Sequence, residues 1–502
     1  MKVCVLFISL FATTVHEIVY FLKICILSIT RVVCIIINET KHDMYQRSSL
    51  PPGVIRPDGG GDDVAYLNNA GFTPLPPAVV EAGVRSVDTN PWLADGRVDR
   101  ANEERIRRQF SAIVGGVDGT EVAILPSTAY AVTMAAHNLH RTGRIRPGST
   151  VLLLQDQFDS AVYPWQEISD GMGTEAEGGL RLEFVPYPDG DGDGDGDGDG
   201  DGGGCRCWTE LILDRLNDCG TDYSVACLPQ VHWADGTVLD LPSIGRACRR
   251  RGVALVVDAT QSAGVMPGLS VSDIQPDMLC ASVHKWLLGP HGMSLCWVRP
   301  DHHGTWLPLD QHGREREWGS GKGGGQDGRE HAVYEASRNK LRNGTDAEGA
   351  GYPTDFVASV GAARLDSGGY KSPVLLAMVR ASLDLVMGQD VGSLQEELVA
   401  VSRRIAEGAK KLGLTVSAGP RCGHILGLRP GPPELRAELT PERMVDIVAN
   451  LQSRGVYIAA RCGVFRVSPY LGVEEGQIEM LLKGLRDELL REDEEGEGWV
   501  ML

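Results

Sequence analysis

Short apolar runs that each stop at a polar residue constrain this chain more than any other feature. Val253-Ala254-Leu255-Val256-Val257 runs into Asp258, and Met278-Leu279-Cys280-Ala281 runs into Ser282. Runs this short, and apolar at every position, read as strands buried on both faces of a parallel sheet. Ligands of open α/β sheets sit just beyond the carboxyl ends of such strands. The polar residues that end the runs therefore mark where a site belongs.

The same pattern recurs along the chain. Val122–Leu125, Val151–Leu154, Val225–Leu228 and Ser294–Val298 read as further strands, and Ala129–His140 carries Val132, Ala135, Ala136 and Leu139 on one helical face. Strands alternating with helices predict an α/β fold, a mostly parallel sheet covered by helices on both faces. After Gly344 the character shifts. Phe356–Leu365, Val374–Met387, Leu394–Leu412, Pro441–Ser453 and Glu474–Leu490 read as helices, and Leu414–Ser417, His424–Leu428 and Val464–Val467 as strands. That predicts a large domain over 51–343 and a smaller α+β domain over 344–490, followed by an acidic tail over 491–502.

Composition narrows the partners. The net charge is -19, but seven aspartates of the Asp189–Gly204 repeat and five acids of the tail carry twelve of those charges. A mildly acidic body without a basic footprint argues against nucleic acid. The Asp-Gly repeat has no side-chain period and cannot bury a core, so it predicts a disordered insertion. Gly313–Arg329 predicts a second one; its Gly-Lys-Gly lacks the Ser or Thr and the preceding strand of a phosphate loop. Twelve irregularly spaced cysteines are too few for a disulfide scaffold, and Cys205-x-Cys207 lacks a second ligand pair for a metal. Reduced thiols point to the cytoplasm. Residues 1–50 are apolar but interrupted by Glu17, Lys23 and Arg31. They read as a targeting or anchoring segment, a partner-binding helix or a start assigned too early. Only in the anchoring case would the protein meet a membrane.

The chemistry centres on Lys285. A lone lysine after a strand is ordinarily a surface residue. This one follows a buried strand, stands between His284 and Trp286, and precedes the tight turn Gly289-Pro290-His291-Gly292. A lysine held there can be desolvated and made nucleophilic. With Asp258 at a second strand end, the pair suits pyridoxal 5′-phosphate: the lysine forms the Schiff base, and the acid pairs with the pyridinium nitrogen.

Asp258-x-x-Gln261 followed by Ser282-x-His284-Lys285 resembles the class V aminotransferase family of fold type I pyridoxal-phosphate enzymes. That family includes cysteine desulfurases, kynureninase, isopenicillin N epimerase-like proteins and sulfoxide lyases of ergothioneine synthesis. The resemblance covers about Tyr66 to Leu490. It implies that Lys285 also shuttles the proton at the substrate α-carbon and that Gln261 hydrogen-bonds the ring hydroxyl oxygen. It implies that Ser282 and His284 help hold the phosphate and the lysine. Ser127 and Thr128 match the phosphate-binding turn at a helix N-terminus; alone they read as a helix cap. Phe158 matches the aromatic ring stacked on the cofactor, and Thr345 of Asn343-Gly344-Thr345 the residue reaching the phosphate from the partner of a homodimer. Arg466 matches the arginine that clamps the substrate carboxylate, for which a planar fork is suited. Asn68 and Asn69 match the segment lining the site mouth. His232-Trp233 stands where cysteine desulfurases carry an asparagine.

The resemblance thus implies an enzyme that forms an external aldimine with an amino-acid substrate, by lyase, transaminase or epimerase chemistry. The alternatives are cysteine desulfurase-like sulfur transfer and a non-catalytic protein on the same fold. A desulfurase needs a mobile nucleophilic cysteine. After Gly344 only Cys422 and Cys462 are present, neither on a long loop.

Overall fold

The computed structural model describes residues 64–88, 96–173, 178–188, 206–310, 316–318, 356–358, 361–368, 371–417, 419–492 and 499–501. All belong to one unit spanning Ile55–Leu502. The apolar amino-terminal segment, the Asp-Gly repeat, most of the second Gly-rich insertion and Asn343-Gly344-Thr345 lie outside the described residues.

The strands in chain order are β1 (Ala65–Tyr66), β2 (Val122–Leu125), β3 (Thr150–Leu154), β4 (Arg181–Val185), β5 (Tyr223–Pro229), β6 (Ala254–Asp258), β7 (Met278–Ser282) and β8 (Ser294–Val298). The seven from β2 to β8 form one sheet in the order β2-β8-β7-β6-β5-β3-β4. β4, β3, β5, β6 and β7 run parallel, while β8 lies antiparallel between β7 and β2. The fold is the α/β, mostly parallel architecture expected, with the carboxyl ends of β3, β5, β6 and β7 on one edge.

Alternation along the central strands explains why the runs are apolar throughout. Leu255 and Val257 of β6, with Leu279 and Ala281 of β7, enter one core with Trp286 and the helix Leu241–Arg251. Ala254, Val256, Met278 and Cys280 enter a second core with the helix Thr128–Arg141. Both faces are buried, so neither admits a polar residue until the strand ends. β4 escaped the sequence reading because it is an edge strand paired only with β3; its Arg181 and Glu183 interrupt the apolar run.

The chain continues with β9 (Arg316–Trp318), β10 (Phe356–Ala358), β11 (Leu414–Val416), β12 (Leu426–Pro430), β13 (Val456–Tyr457), β14 (Ala459–Arg461), β15 (Val464–Val467), β16 (Leu490–Glu492) and β17 (Trp499–Met501). β11, β12, β15 and β14 form an antiparallel sheet in that order. It is backed by the helices Val391–Lys410, Pro441–Ser453 and Glu475–Leu489 around a third core containing Ile405, Ile447, Phe465 and Leu481. β1 pairs with β13 in parallel, and Ala65 and Leu67 enter this third core. The helix Pro373–Met387 instead packs through Leu376, Val379 and Leu383 into the core of the large sheet.

One expected helix is not formed. Within Phe356–Leu365, Phe356–Ala358 is the strand β10, paired antiparallel with β9, and Gly361–Leu365 is a 3-10 turn. Gly361 has φ 79, and a Cβ there would stand 2.3 Å from the Thr120 carbonyl oxygen. A left-handed residue at that point ends any helix through the segment. β9 also falls inside the stretch read as a Gly-rich loop, and β16 pairs with β17 across the acidic stretch.

Candidate active site

Asp258 ends β6, and Lys285 lies on the loop that follows the neighbouring strand β7. Asp258 lies beside Cys280 of β7. The Thr260 amide donates to Asp258 Oδ1 at 3.0 Å, and the Ser282 amide donates to Thr260 Oγ1 at 3.1 Å, which ties the two strand ends together. The loop carrying Lys285 is closed by Leu288 N–H to the Lys285 carbonyl at 3.0 Å and by Gly289 N–H to the Val283 carbonyl at 2.8 Å. Lys285 Nζ lies 5.5 Å from the centroid of the Phe158 ring, beyond the carboxyl end of β3. Burial pushes the Lys285 ammonium down to about 8, with Arg466 adding to the shift and Asp258 opposing it.

An amine so placed has a far larger unprotonated fraction near neutral pH than an ordinary lysine, and that fraction attacks aldehydes. The rate at which the apoprotein forms its covalent bond with pyridoxal phosphate is therefore expected to rise with pH and level off above about 8. Stopped-flow absorbance across pH 6–10 checks this; a rate still climbing steeply at pH 10 would contradict the burial of the amine.

A group of hydroxyls lies where an anion would sit. Ser127 caps the helix Thr128–Arg141, accepting the Tyr130 amide at 3.1 Å. The Thr128 and Ser282 hydroxyls are 3.3 Å apart. Helix amides and their dipole favour negative charge at such an end. His284 stacks on His291 at 4.0 Å, and His291 on Phe72 at 5.1 Å. Burial, His291 and Lys285 together push the His284 imidazolium down to about 4.

Gln261 is held from several sides. Its Nε2 donates to the Ala70 carbonyl at 3.2 Å, its Oε1 accepts the Trp286 indole N–H at 2.7 Å, and its carbonyl lies 2.7 Å from His424 Nε2. His424 is fully buried, which pushes its imidazolium down to about 4. The sign follows from proton uptake: on acidification the unfolded chain binds the proton near the ordinary 6.5, before the folded chain does near 4. Stability is therefore lost as pH falls through that window, by about 3 kcal/mol from this residue. Urea unfolding at pH 7 and 4.5 is expected to show a larger loss for wild type than for His424→Gln; equal losses would contradict it.

Arg466 lies in β15 opposite Gly427 of β12 and Ala459 of β14, small residues that leave room for a guanidinium. It is 2% exposed. One terminal nitrogen donates to the Trp233 carbonyl at 3.2 Å and the other to Asn68 Oδ1 at 3.3 Å, while Nε has no partner. Among the described residues no carboxylate forms a salt bridge with it. The guanidinium carbon lies 5.7 Å from the Trp233 ring centroid, and that ring meets Phe158 edge-on at 5.4 Å. Lys285, Phe158, Trp233 and Arg466 thus form a continuous wall. Asn68 faces Arg466, whereas the Asn69 amide is turned onto the Ser468 carbonyl at 3.0 Å.

Comparison with known proteins agrees with this geometry. The family model for Aminotransferase class-V matches residues 210–345, the stretch that carries Asp258, Gln261 and Lys285. The uncharacterized aminotransferase YcbU of Bacillus subtilis (strain 168) is 25% identical over 368 residues, 73% of this chain and 78% of its own. Over these stretches the chain is similar to the class V aminotransferase family. It is a pyridoxal-phosphate-dependent enzyme of fold type I. A Halobacterium salinarum protein described as a probable cysteine desulfurase is 27% identical over 254 residues, 48% of this chain and 54% of its own. The cysteine desulfurase of Thermococcus onnurineus NA1 shares the fold with a TM-score of 0.63 at 18% identity, over 85% of this chain and 94% of that one. The cystine C-S lyase C-DES, solved with its product cysteine persulfide, aligns with a TM-score of 0.63 at 19% identity, over 84% and 97%.

Two features around this site escaped the sequence reading. Gln230, just after β5 and beside the Asp258 strand, has a buried side-chain oxygen without an internal partner. Asp235 is fully buried and joins the loop after β5 to the C-terminal sheet, accepting from Ser417 Oγ at 2.7 Å and Arg429 at 3.2 Å. It therefore fixes the loop whose Trp233 carbonyl holds Arg466. The orphaned Gln230 oxygen and Arg466 Nε, the desolvated lysine and the hydroxyls at a helix start fit a phosphorylated pyridine carrying an amino acid.

The cysteines are placed unlike a mobile carrier. Cys462 and Gly463 form a two-residue hairpin turn between β14 and β15, with φ 49 and 71. Both central residues lie in the left-handed region, the signature of a tight type I′ turn. Desolvation and Asp156 hold the Cys462 thiol up at about 11. Cys422 is buried, its thiol pushed up to about 12. Cys207 starts the helix Trp208–Asn217, and Cys205 lies outside the described residues. No helix among the described residues is long and apolar enough to cross a membrane.

Proposed function

We propose that this enzyme binds an α-amino acid by its carboxylate at Arg466 and transforms it at the α-carbon by lyase, transaminase or epimerase chemistry. The observation that carries this reading is the buried Arg466 guanidinium, which has no salt bridge to a carboxylate among the described residues and lines the same wall as Lys285. A buried cation without a counter-charge is costly unless a ligand supplies one.

When bound, the cofactor supplies an electron sink for charge developing at the α-carbon. The chain supplies the rest. Lys285 anchors the cofactor and then moves a proton at the substrate α-carbon. Asp258 pairs with the pyridinium nitrogen. Gln261 retains one amide hydrogen for the ring hydroxyl oxygen, its other groups being engaged. Phe158 covers the ring. Ser127, Thr128, Ser282 and His284 hold the phosphate, joined by Thr345 of a second copy in a homodimer. Asn68, rather than Asn69, orients Arg466.

Sulfur transfer through a persulfide fits less well, because Cys462 sits on a two-residue turn with a raised thiol pKa. The test is a screen of L- and D-amino acids against the holoenzyme, reading 2-oxo acids, ammonia, alanine and sulfide. Expected is a 2-oxo acid or the opposite enantiomer from at least one amino acid. Sulfide and alanine from L-cysteine, abolished by Cys462→Ser, would overturn the reading in favour of a desulfurase.

A further inference from the structure

His424 is a bend residue just before β12, far in sequence from the cofactor-end loops, and is fully buried. Its two ring nitrogens have different partners. Nδ1 lies 2.9 Å from Gln395 Nε2, and Nε2 lies 2.7 Å from the Gln261 carbonyl oxygen. The Gln395 amide has one consistent orientation, because its Oε1 accepts the Gly423 N–H at 3.0 Å. Its Nε2 therefore has only protons to give: one to the Val265 carbonyl at 2.8 Å, the other to His424 Nδ1. Nδ1 must accept, so the ring proton sits on Nε2 and is donated to Gln261.

The same imidazole meets the Trp286 ring edge-on at 4.6 Å. Trp286 in turn donates to Gln261 Oε1 at 2.7 Å. The histidine thus touches both loops that carry the chemistry: Gln261 stands three residues after Asp258, and Trp286 immediately follows Lys285. Gln395 and the Ser402 hydroxyl, which donates to the Gly423 carbonyl at 2.6 Å, fix the histidine from the helix Val391–Lys410.

We propose that His424 is a positioning residue of the active site: as an Nε2–H imidazole gripped by Gln395, it sets Gln261 and Trp286, and through them the mutual placement of Asp258 and Lys285. The proposal rests on the reading of Lys285 and Asp258 as cofactor residues. It makes the C-terminal part of the chain a determinant of cofactor geometry without contact with the cofactor.

His424→Leu removes both ring hydrogen bonds and keeps apolar bulk; His424→Gln restores a donor and an acceptor at similar reach. The readouts are the wavelength and pH midpoint of the visible band of the holoenzyme, the cofactor dissociation constant of the apoprotein, and thermal unfolding of each apoprotein. Loss of a buried hydrogen bond is expected to weaken cofactor binding about tenfold in His424→Leu and to shift the band or its midpoint. His424→Gln is expected to recover both. If His424→Leu does not fold, Gln395→Leu tests the same claim, because it frees the ring proton to move to Nδ1; the same direction of change is expected. A coloured wild type whose variants keep its band and cofactor affinity, losing only apoprotein stability, overturns this proposal alone. A wild type that takes up no cofactor overturns the underlying reading first.

Discussion

Replacing Arg466 by alanine is expected to lower kcat/KM for amino-acid substrates by on the order of 10²–10⁴-fold while leaving the visible cofactor band in place. Two charge-assisted hydrogen bonds to a carboxylate contribute about 1.5–3 kcal/mol each. The loss should fall on KM first, because the guanidinium holds a group that does not change charge during reaction. Arg466→Lys should recover little, since a point charge cannot reproduce a fork. The surroundings make the residue sensitive: the Trp233 carbonyl and Asn68 take one terminal nitrogen each, and Gly71 leaves no spare room, a Cβ there standing 3.2 Å from the guanidinium. Asn68→Ala should therefore move KM in the same direction by less. If Arg466→Ala lost its colour instead, the arginine would belong to the cofactor and not to the substrate.

Replacing Lys285 by alanine is expected to remove more. Loss of a positioned acid-base group lowers rate by roughly 10²–10⁴-fold, and loss of the covalent anchor adds to that. The variant should still bind cofactor through the phosphate hydroxyls and Asp258, as free aldehyde, with an absorbance distinct from wild type. Primary amines supplied in solution should restore part of the turnover. A variant with wild-type colour and turnover would place the nucleophile elsewhere.

Lys285 was legible in the sequence for a physical reason. It follows β7 by three residues, and its partner Asp258 ends β6; both runs are apolar throughout because both sheet faces are buried, so the first polar residues mark the ligand edge. Ser127 and Thr128 were legible in the same way, at a strand-to-helix turn. His424 was not: it precedes a strand, and its key contact lies 163 residues away, so nothing local separates it from any buried histidine. Gln395 lies on an otherwise amphipathic helix and reads as part of the polar face. Asn68 and Asn69 are adjacent and alike. Only the bridge of Asn68 to Ser468 and the strand pairing of β1 with β13 decide which one faces Arg466. Cys462, four residues before Arg466 with no long loop to carry it, read as a poor carrier in the sequence. The two left-handed residues of its turn give that short connection its geometry, which no local pattern announced.

Lys285 is expected to anchor the cofactor at the carboxyl edge of the large sheet. Borohydride reduction of the purified holoenzyme, followed by peptide mass mapping, tests it most directly. A pyridoxyl-phosphate adduct on Lys285, with loss of the visible band, is the result expected. An adduct on another lysine, or none on a protein saturated with cofactor, would contradict the account.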